Sequence, residues 1–262
     1  MSEFSATVTV DGHVVPQEIL DRIEYERTLH VLHEMKYLGA DIKDGERSLS
    51  HEDINWLEPE RAKQVCLAAR MALDEQEMLD LMERPRLDAE RRWKEFNEGY
   101  RPEDVHMGVT EISIVGASFQ EVMGIMNGVV SDKSGLGAFP EHYIVIGDIA
   151  TGQRGMEAFG MFGEPVFVHG TASEEAVAGL PIEDDPSYPL KVSGAMLLKS
   201  DDTPIHTGAC HMVRPTQDGF DIKSTFFCPG KAPAAIADGH KYHFALEIVN
   251  AARAAYAEKA GA

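Results

Sequence analysis

Residues 239–259 read GHKYHFALEIVNAARAAYAEK, and this closing stretch decides the fold. It is free of proline, rich in alanine, and places apolar side chains at Phe244, Ile248, Ala251, Ala252 and Ala255, one stripe of a helix. The pattern predicts a long helix from about Pro233 to Lys259, closing the chain against a sheet. On the same helix His243 and Glu247 stand four residues apart, so they project from one face, one turn apart. An imidazole and a carboxylate so placed can share one cation. The chain has 11 His, and a second pair, His30 with Glu34, occurs in ERTLHVLHEMK. By itself either pair also reads as an ordinary i,i+4 helix contact.

Working back from the helix, the preceding residues alternate with period two. Strands are expected at Val109–Val115, Tyr143–Ile146, Met156–Phe162, Val166–Gly170, Leu190–Leu198, Ile205–Arg214 and Phe220–Phe227, separated by Gly and Pro clusters. Ser118 should cap a short helix running to about Val129, and SDKSGLGAF, residues 131–139, reads as a flexible turn region. A strand, a helix, antiparallel strands and a long final helix make an α+β layout, a curved sheet gripping the C-terminal helix. Such a layout encloses a cavity suited to a small hydrophobic ligand.

Residues 1–105 read differently. After a strand-like opening at Ala6–Val10, a helix is expected from Gln17 to Leu38, stopped by Gly39. Ser50 to Asp53 forms an N-cap with an acidic third residue, and helix formers continue from Glu58 to Met82. Pro85 should interrupt, with another helix from Leu87 to Asn97. These helices are charged and amphipathic, with Leu67, Met71, Met78 and Leu81 as an apolar stripe. The division is therefore a helical extension, 1–105, and a second domain, 106–262. The extension is expected to pack on that domain or on a partner subunit, as a homodimer, and to hold no catalytic centre.

The formal charge of −20 argues against nucleic acid and against anionic membrane surfaces as partners. The first residues show no signal peptide, and no run approaches the ~20 apolar residues of a membrane span. Three widely spaced cysteines, Cys66, Cys210 and Cys228, form no disulfide framework or zinc knuckle. A reduced, cytoplasmic setting is expected.

Several polar positions in the second half attract chemistry. His142, in FPEHYIVIGD, sits where a loop enters a strand. Glu157 is the one charge in an apolar, glycine-rich run after Arg154, and a carboxylate there must be solvated, paired or bound to a cation. Glu164 is a weaker competitor. His211 lies in a strand beside Cys210; His169 and His206 are similar cases. Arg214 and Lys223 read as solvated, and Cys228 has no paired base.

The order of motifs carries a resemblance. His211-x-x-Arg214-Pro215, a glycine turn, Lys223-Ser-x-Phe-Phe227, then His243-x-x-x-Glu247-x-x-Asn250-Ala251 resembles the phloretin hydrolase and diacetylphloroglucinol hydrolase family. Pro140-Glu141-His142 resembles the family's Pro-Glu-x-His segment, and Glu157 falls where its ligating glutamate follows. A tryptophan-rich middle segment associated with the family is missing, and the His142–Glu157 spacing is short. The resemblance implies a helix-grip domain of the Bet v 1 kind with an N-terminal extension. It also implies a zinc site of His142, Glu157, His243 and Glu247, with Fe²⁺ or Mn²⁺ compatible with the same donors. The implied reaction is hydrolysis of the carbon–carbon bond between an acyl group and a phenolic ring, with His211 in proton transfer. Two other classes fit the same residues: a non-enzymatic helix-grip protein binding a hydrophobic small molecule, and an Fe(II)-dependent oxygenase acting on a phenol.

Overall fold

The computed structural model describes residues 3–126, 134–148 and 151–261. Alternating apolar residues build one antiparallel sheet of nine strands. These are β1 (Ser5–Val10), β2 (His13–Val14), β5 (Val105–Val115), β6 (His142–Asp148), β7 (Gly152–Glu157), β8 (Val166–Gly170), β9 (Leu190–Leu198), β10 (Pro204–Pro215) and β11 (Gly219–Pro229). Their spatial order is β2-β1-β5-β11-β10-β9-β8-β7-β6. A separate small hairpin joins β3 (Lys43–Asp44) to β4 (Arg47–Ser48).

The helices are α1 (Gln17–Tyr37), α2 (His51–Asn55), α3 (Pro59–Met71), α4 (Glu75–Leu81), α5 (Glu83–Asn97), α6 (Phe119–Met126) and α7 (Ala234–Ala260). The expected α+β arrangement of a large curved antiparallel sheet and a long C-terminal helix is present. The strand opening at Ala6–Val10 is more than a lead-in: β1 pairs with β5 from Ser5↔Val115 to Val10↔Thr110. The sheet thus runs across the boundary expected at residue 105.

Helix α7 packs against β5, β11, α6 and a 3-10 turn at Phe159–Met161. That last contact needs glycine on both sides. A Cβ on Gly239 would lie 1.9 Å from the Gly160 carbonyl oxygen, and one on Gly160 would lie 2.0 Å from that of Ile236. Gly160 also has φ +65°, a conformation L side chains rarely adopt. This turn ends β7 at Glu157 and overturns the expected strand through Phe162.

Two apolar cores follow. One lies between α7 and the sheet and includes Ile112, Phe220, Phe226, Ile236, Phe244 and Ile248. The other joins Val31, Leu32, Met35, Ile54, Met78 and Met82 of the N-terminal helices to Tyr143, Ile144 and Met156 of β6 and β7. The apolar stripe expected there is shifted: Met78 is buried, but Met71 is 44% exposed, and Val65, Cys66 and Met82 take the inner positions.

Two helix boundaries also differ from expectation. The run from Glu58 to Met82 breaks, because Asp74 caps α4 by accepting from the Glu77 N–H while the Glu77 carboxylate accepts from the Asp74 N–H. Pro85 does not interrupt. It lies in the first turn of α5, where the N–H it lacks has no helical partner. The Ser50–Asp53 box and the Ser118–Glu121 cap form as expected. The end of the helix expected to reach Val129, and residues 131–133 of the turn region, lie outside the described residues. Among the described residues no helix is long and apolar enough to cross a membrane.

Candidate metal centre

His142 opens β6, Glu157 closes β7, and the two are cross-strand partners at the edge of the sheet. Sheet curvature brings this edge back over α7, which carries His243 and Glu247. The four residues expected as ligands therefore converge, although they span over 100 positions of chain. His142 Nε2 lies 3.1 Å from His243 Nε2, 3.1 Å from Glu157 Oε2 and 3.8 Å from Glu247 Oε1. His243 Nε2 lies 3.7 Å from Glu157 Oε2 and 4.0 Å from Glu247 Oε2. A tetrahedral ion with bonds of about 2.0–2.2 Å holds its donors roughly 3.3–3.6 Å apart, so the donor set fits a zinc-sized cation. His142, Glu157 and His243 form the tightest group capable of holding a metal, with Glu247 at its margin.

The tautomer of His142 is set by its other ring nitrogen. Nδ1–H donates to the Gly135 carbonyl at 3.2 Å, which turns Nε2 toward His243 and Glu157, its lone pair free for a cation whenever that nitrogen is deprotonated. His243 is held by stacking on Phe139 (ring centroids 4.0 Å apart) and on His240 (4.3 Å). Its Nδ1 is buried without a hydrogen-bond partner among the described residues.

Charge is apportioned among these groups by burial and proximity. Burial opposes a charged His142 ring, but the Glu157 hydrogen bond and the charges of Glu247 and Glu157 raise its pKa overall. Burial, with His240 and His142 alongside, holds His243 well below the usual imidazole range. Burial pushes Glu247 up to about 7, with His142 opposing and Glu157 adding to the rise. The donor set is thus a coupled cluster in which a bound cation would compete with protons.

The four residues line a cavity of about 180 Å³ whose walls are mainly Phe, Met, Val and Ile side chains. His211 lines it too, bonded through Nδ1 to Ser224 Oγ at 2.9 Å, and burial lowers its pKa to about 4. Other expected positions lie elsewhere. Glu164 pairs with Arg92, His169 bonds Asp202 at 2.7 Å, and His206 stacks on Tyr100. Arg214 pairs with Asp221 at the surface. Cys228 is buried, and desolvation pushes its thiol up to about 12.

The N-terminal helices brace this centre and contribute none of its donors. Arg70 of α3 is buried, and its Nη1 donates to the carbonyls of Leu136, Phe139 and His142 at 2.9, 2.9 and 2.7 Å. Arg27 pairs with the buried Glu141, the Tyr143 hydroxyl donates to Glu34, and Arg154 forms a two-point pair with Glu75. Asn250 donates to Glu24 Oε1 at 2.7 Å and to the Ala138 carbonyl at 3.1 Å, tying α7 to α1 and to the same loop. Among the described residues His30 joins no ligand group; burial and Arg27 lower its pKa to about 4.

Sequence reading missed two residues here. One is Arg70, whose signal was a cation at an inward position of an amphipathic helix. The other is His240, which shares a face with His243 and Glu247 at spacings of three and seven. Compared with known proteins, the chain matches no family model and no curated protein.

Proposed function

We propose that this protein is a divalent-metal-dependent hydrolase that cleaves the carbon–carbon bond between an acyl group and a phenolic ring, the reaction implied by the resemblance of residues 211–256. What carries the reading is the convergence of His142, Glu157, His243 and Glu247 in the wall of an apolar cavity that His211 also lines. The fold reading is that of a Bet v 1-like helix-grip domain. Zinc suits two imidazoles and two carboxylates, and when bound it would supply a Lewis acid and lower the pKa of water toward ~7.

The chain's own residues do the rest. The apolar walls take the ring and keep bulk water from it, while the acyl group faces the donors of β6, β7 and α7. Water adds its oxygen to the acyl carbon, the bond to the ring carbon breaks, and that carbon leaves with the electron pair, stabilised by the phenol's keto tautomer. Products are a carboxylic acid and a phenol one proton richer at carbon. His211 is neutral at pH 7, so it begins as a base: it takes a proton from the attacking water and returns it to the ring carbon.

The test is metal analysis of purified protein beside His243→Ala and Glu247→Ala, followed by mass spectrometry after incubation with acylphloroglucinol and phloretin-like compounds. Metal retained in both variants, or no carboxylic acid from metal-replete protein, would sink the reading. Two observations favour competing classes. The tightest donor group is two histidines and one carboxylate, which also suits Fe(II) oxygenases, and oxygen uptake with Fe²⁺ and a phenol separates that class. The apolar cavity suits a binding protein, and tight ligand binding indifferent to metal and to His243 separates that one.

A further inference from the structure

We propose that His240 is a ligand-binding residue: its Nε2–H is the hydrogen-bond donor that holds a phenolic or carbonyl oxygen of the aromatic ligand in the cavity. The inference rests on the reading above for the class of ligand, and it adds a residue that neither the motif resemblance nor the donor cluster includes.

The argument begins with the backbone. The Gly160 N–H lies 2.9 Å from His240 Nδ1, and a peptide N–H has only a proton to give. Nδ1 is therefore the acceptor, and the ring's proton sits on Nε2. His240 lines the cavity, and Nε2 has no hydrogen-bond partner among the described residues. Because His240 lines the cavity, an acceptor held there can meet this donor. A donor left unpaired in an apolar wall is costly, so a ligand oxygen that meets it is favoured.

The ring cannot turn away. It is stacked between Phe226 (centroids 3.9 Å apart, planes 22°) and His243 (4.3 Å, 26°). The turn that supplies the Gly160 N–H is itself wedged against α7, with Gly160 O where a Cβ on residue 239 would fall. The donor is thus fixed in advance, one ring away from the proposed metal ligand His243. Glu157 and Glu247 accept when ionised, and Ser193 gives its hydroxyl proton to the Ser173 carbonyl. An oxygen of a planar ligand in this cavity can therefore take a hydrogen bond from His240, beside whatever Gln153 and His211 offer.

The two nitrogens can be tested apart. Asparagine at 240 keeps an acceptor near the Nδ1 position and removes the donor, whereas glutamine supplies a donor near the Nε2 position. The probe is 2′,4′-dihydroxyacetophenone, titrated by calorimetry into zinc-loaded and metal-free protein, with long-range ¹H–¹⁵N spectra of the histidine rings. The wild type should show His240 protonated at Nε2, with that resonance moving on addition of the probe. His240→Asn should weaken the probe about tenfold with zinc content unchanged, and His240→Gln should recover most of the loss. Wild-type affinity in His240→Asn, a proton on Nδ1, or no probe binding by either wild-type form would each overturn the inference. The spectra need only the wild type, so a variant that fails to fold does not remove the test. Probe binding with this pattern but no acid product would uphold His240 while the hydrolytic reading falls.

Discussion

Arg70 shows how much of the centre depends on a residue that touches none of its donors. Its guanidinium gathers three carbonyls of the loop that delivers His142, one of them His142's own. Arg70→Met should take the guanidinium from those carbonyls, of which that of Phe139 keeps a backbone partner in the His142 N–H, cost about 3 kcal/mol in chemical denaturation, and weaken zinc about 10–100-fold in a chelator competition. Unchanged zinc affinity would make the brace irrelevant to the centre. Glu247 offers a titration. Its folded pKa is raised to about 7 from an ordinary value of 4.5, so between these values the folded protein binds the extra proton. Metal-free protein should therefore lose stability as pH rises through that window, and Glu247→Gln should remove this part of the slope. Zinc displaces the same proton, so zinc affinity should rise with pH over the window, with proton release seen by calorimetry in buffers of different ionisation enthalpy. At this scale the pair His243 and Glu247 was legible because helical spacing is local. His142 and Glu157 stood out singly, by a strand entry and by a lone charge in an apolar run, and only the resemblance joined them to that pair, since cross-strand partnership leaves no spacing rule.

At the scale of elements, the contact between α7 and the Phe159–Met161 turn sets the depth of the helix in the sheet. Gly239→Ala should gain about 1 kcal/mol of helix propensity and still destabilise, by about 1–3 kcal/mol net, because its Cβ collides with the Gly160 carbonyl. A stabilised variant would show that the helix can shift without penalty. Asp74→Ala should cost about 1 kcal/mol by removing the reciprocal cap of α4. The strands at Val166–Gly170 and Leu190–Leu198 and the long final helix were readable because period and capping are written in adjacent residues. The end of β7 was not, because apolar Phe159 and Met161 continue the strand pattern while the backbone turns at Gly160 to meet the helix.

For the whole molecule, the N-terminal helices and the sheet act as one support for the centre. His30→Ala should keep wild-type zinc content, as expected of a residue outside the donor group. Glu34 is less dispensable, because it receives the hydroxyl of Tyr143, next to His142. Loss of zinc in His30→Ala would move the site to α1. Zinc at a hundredfold excess over its dissociation constant should stabilise the protein by about 2.7 kcal/mol, read as a rise in Tm that chelation reverses. The homodimer expected from the sequence remains a proposal for light scattering to decide.

The sequence by itself determined the α+β class, the C-terminal helix with its inward His243 and Glu247, and most strand positions. Each of these depends on the repeat of neighbouring residues, which propensity and burial enforce locally. Only the tertiary structure decided that the far edge of a nine-stranded sheet returns to that helix, that Arg70 carries the loop of His142, and that His240 faces the cavity. These depend on sheet curvature and on contacts between residues scores of positions apart, and nothing in the local alternation of a chain encodes either.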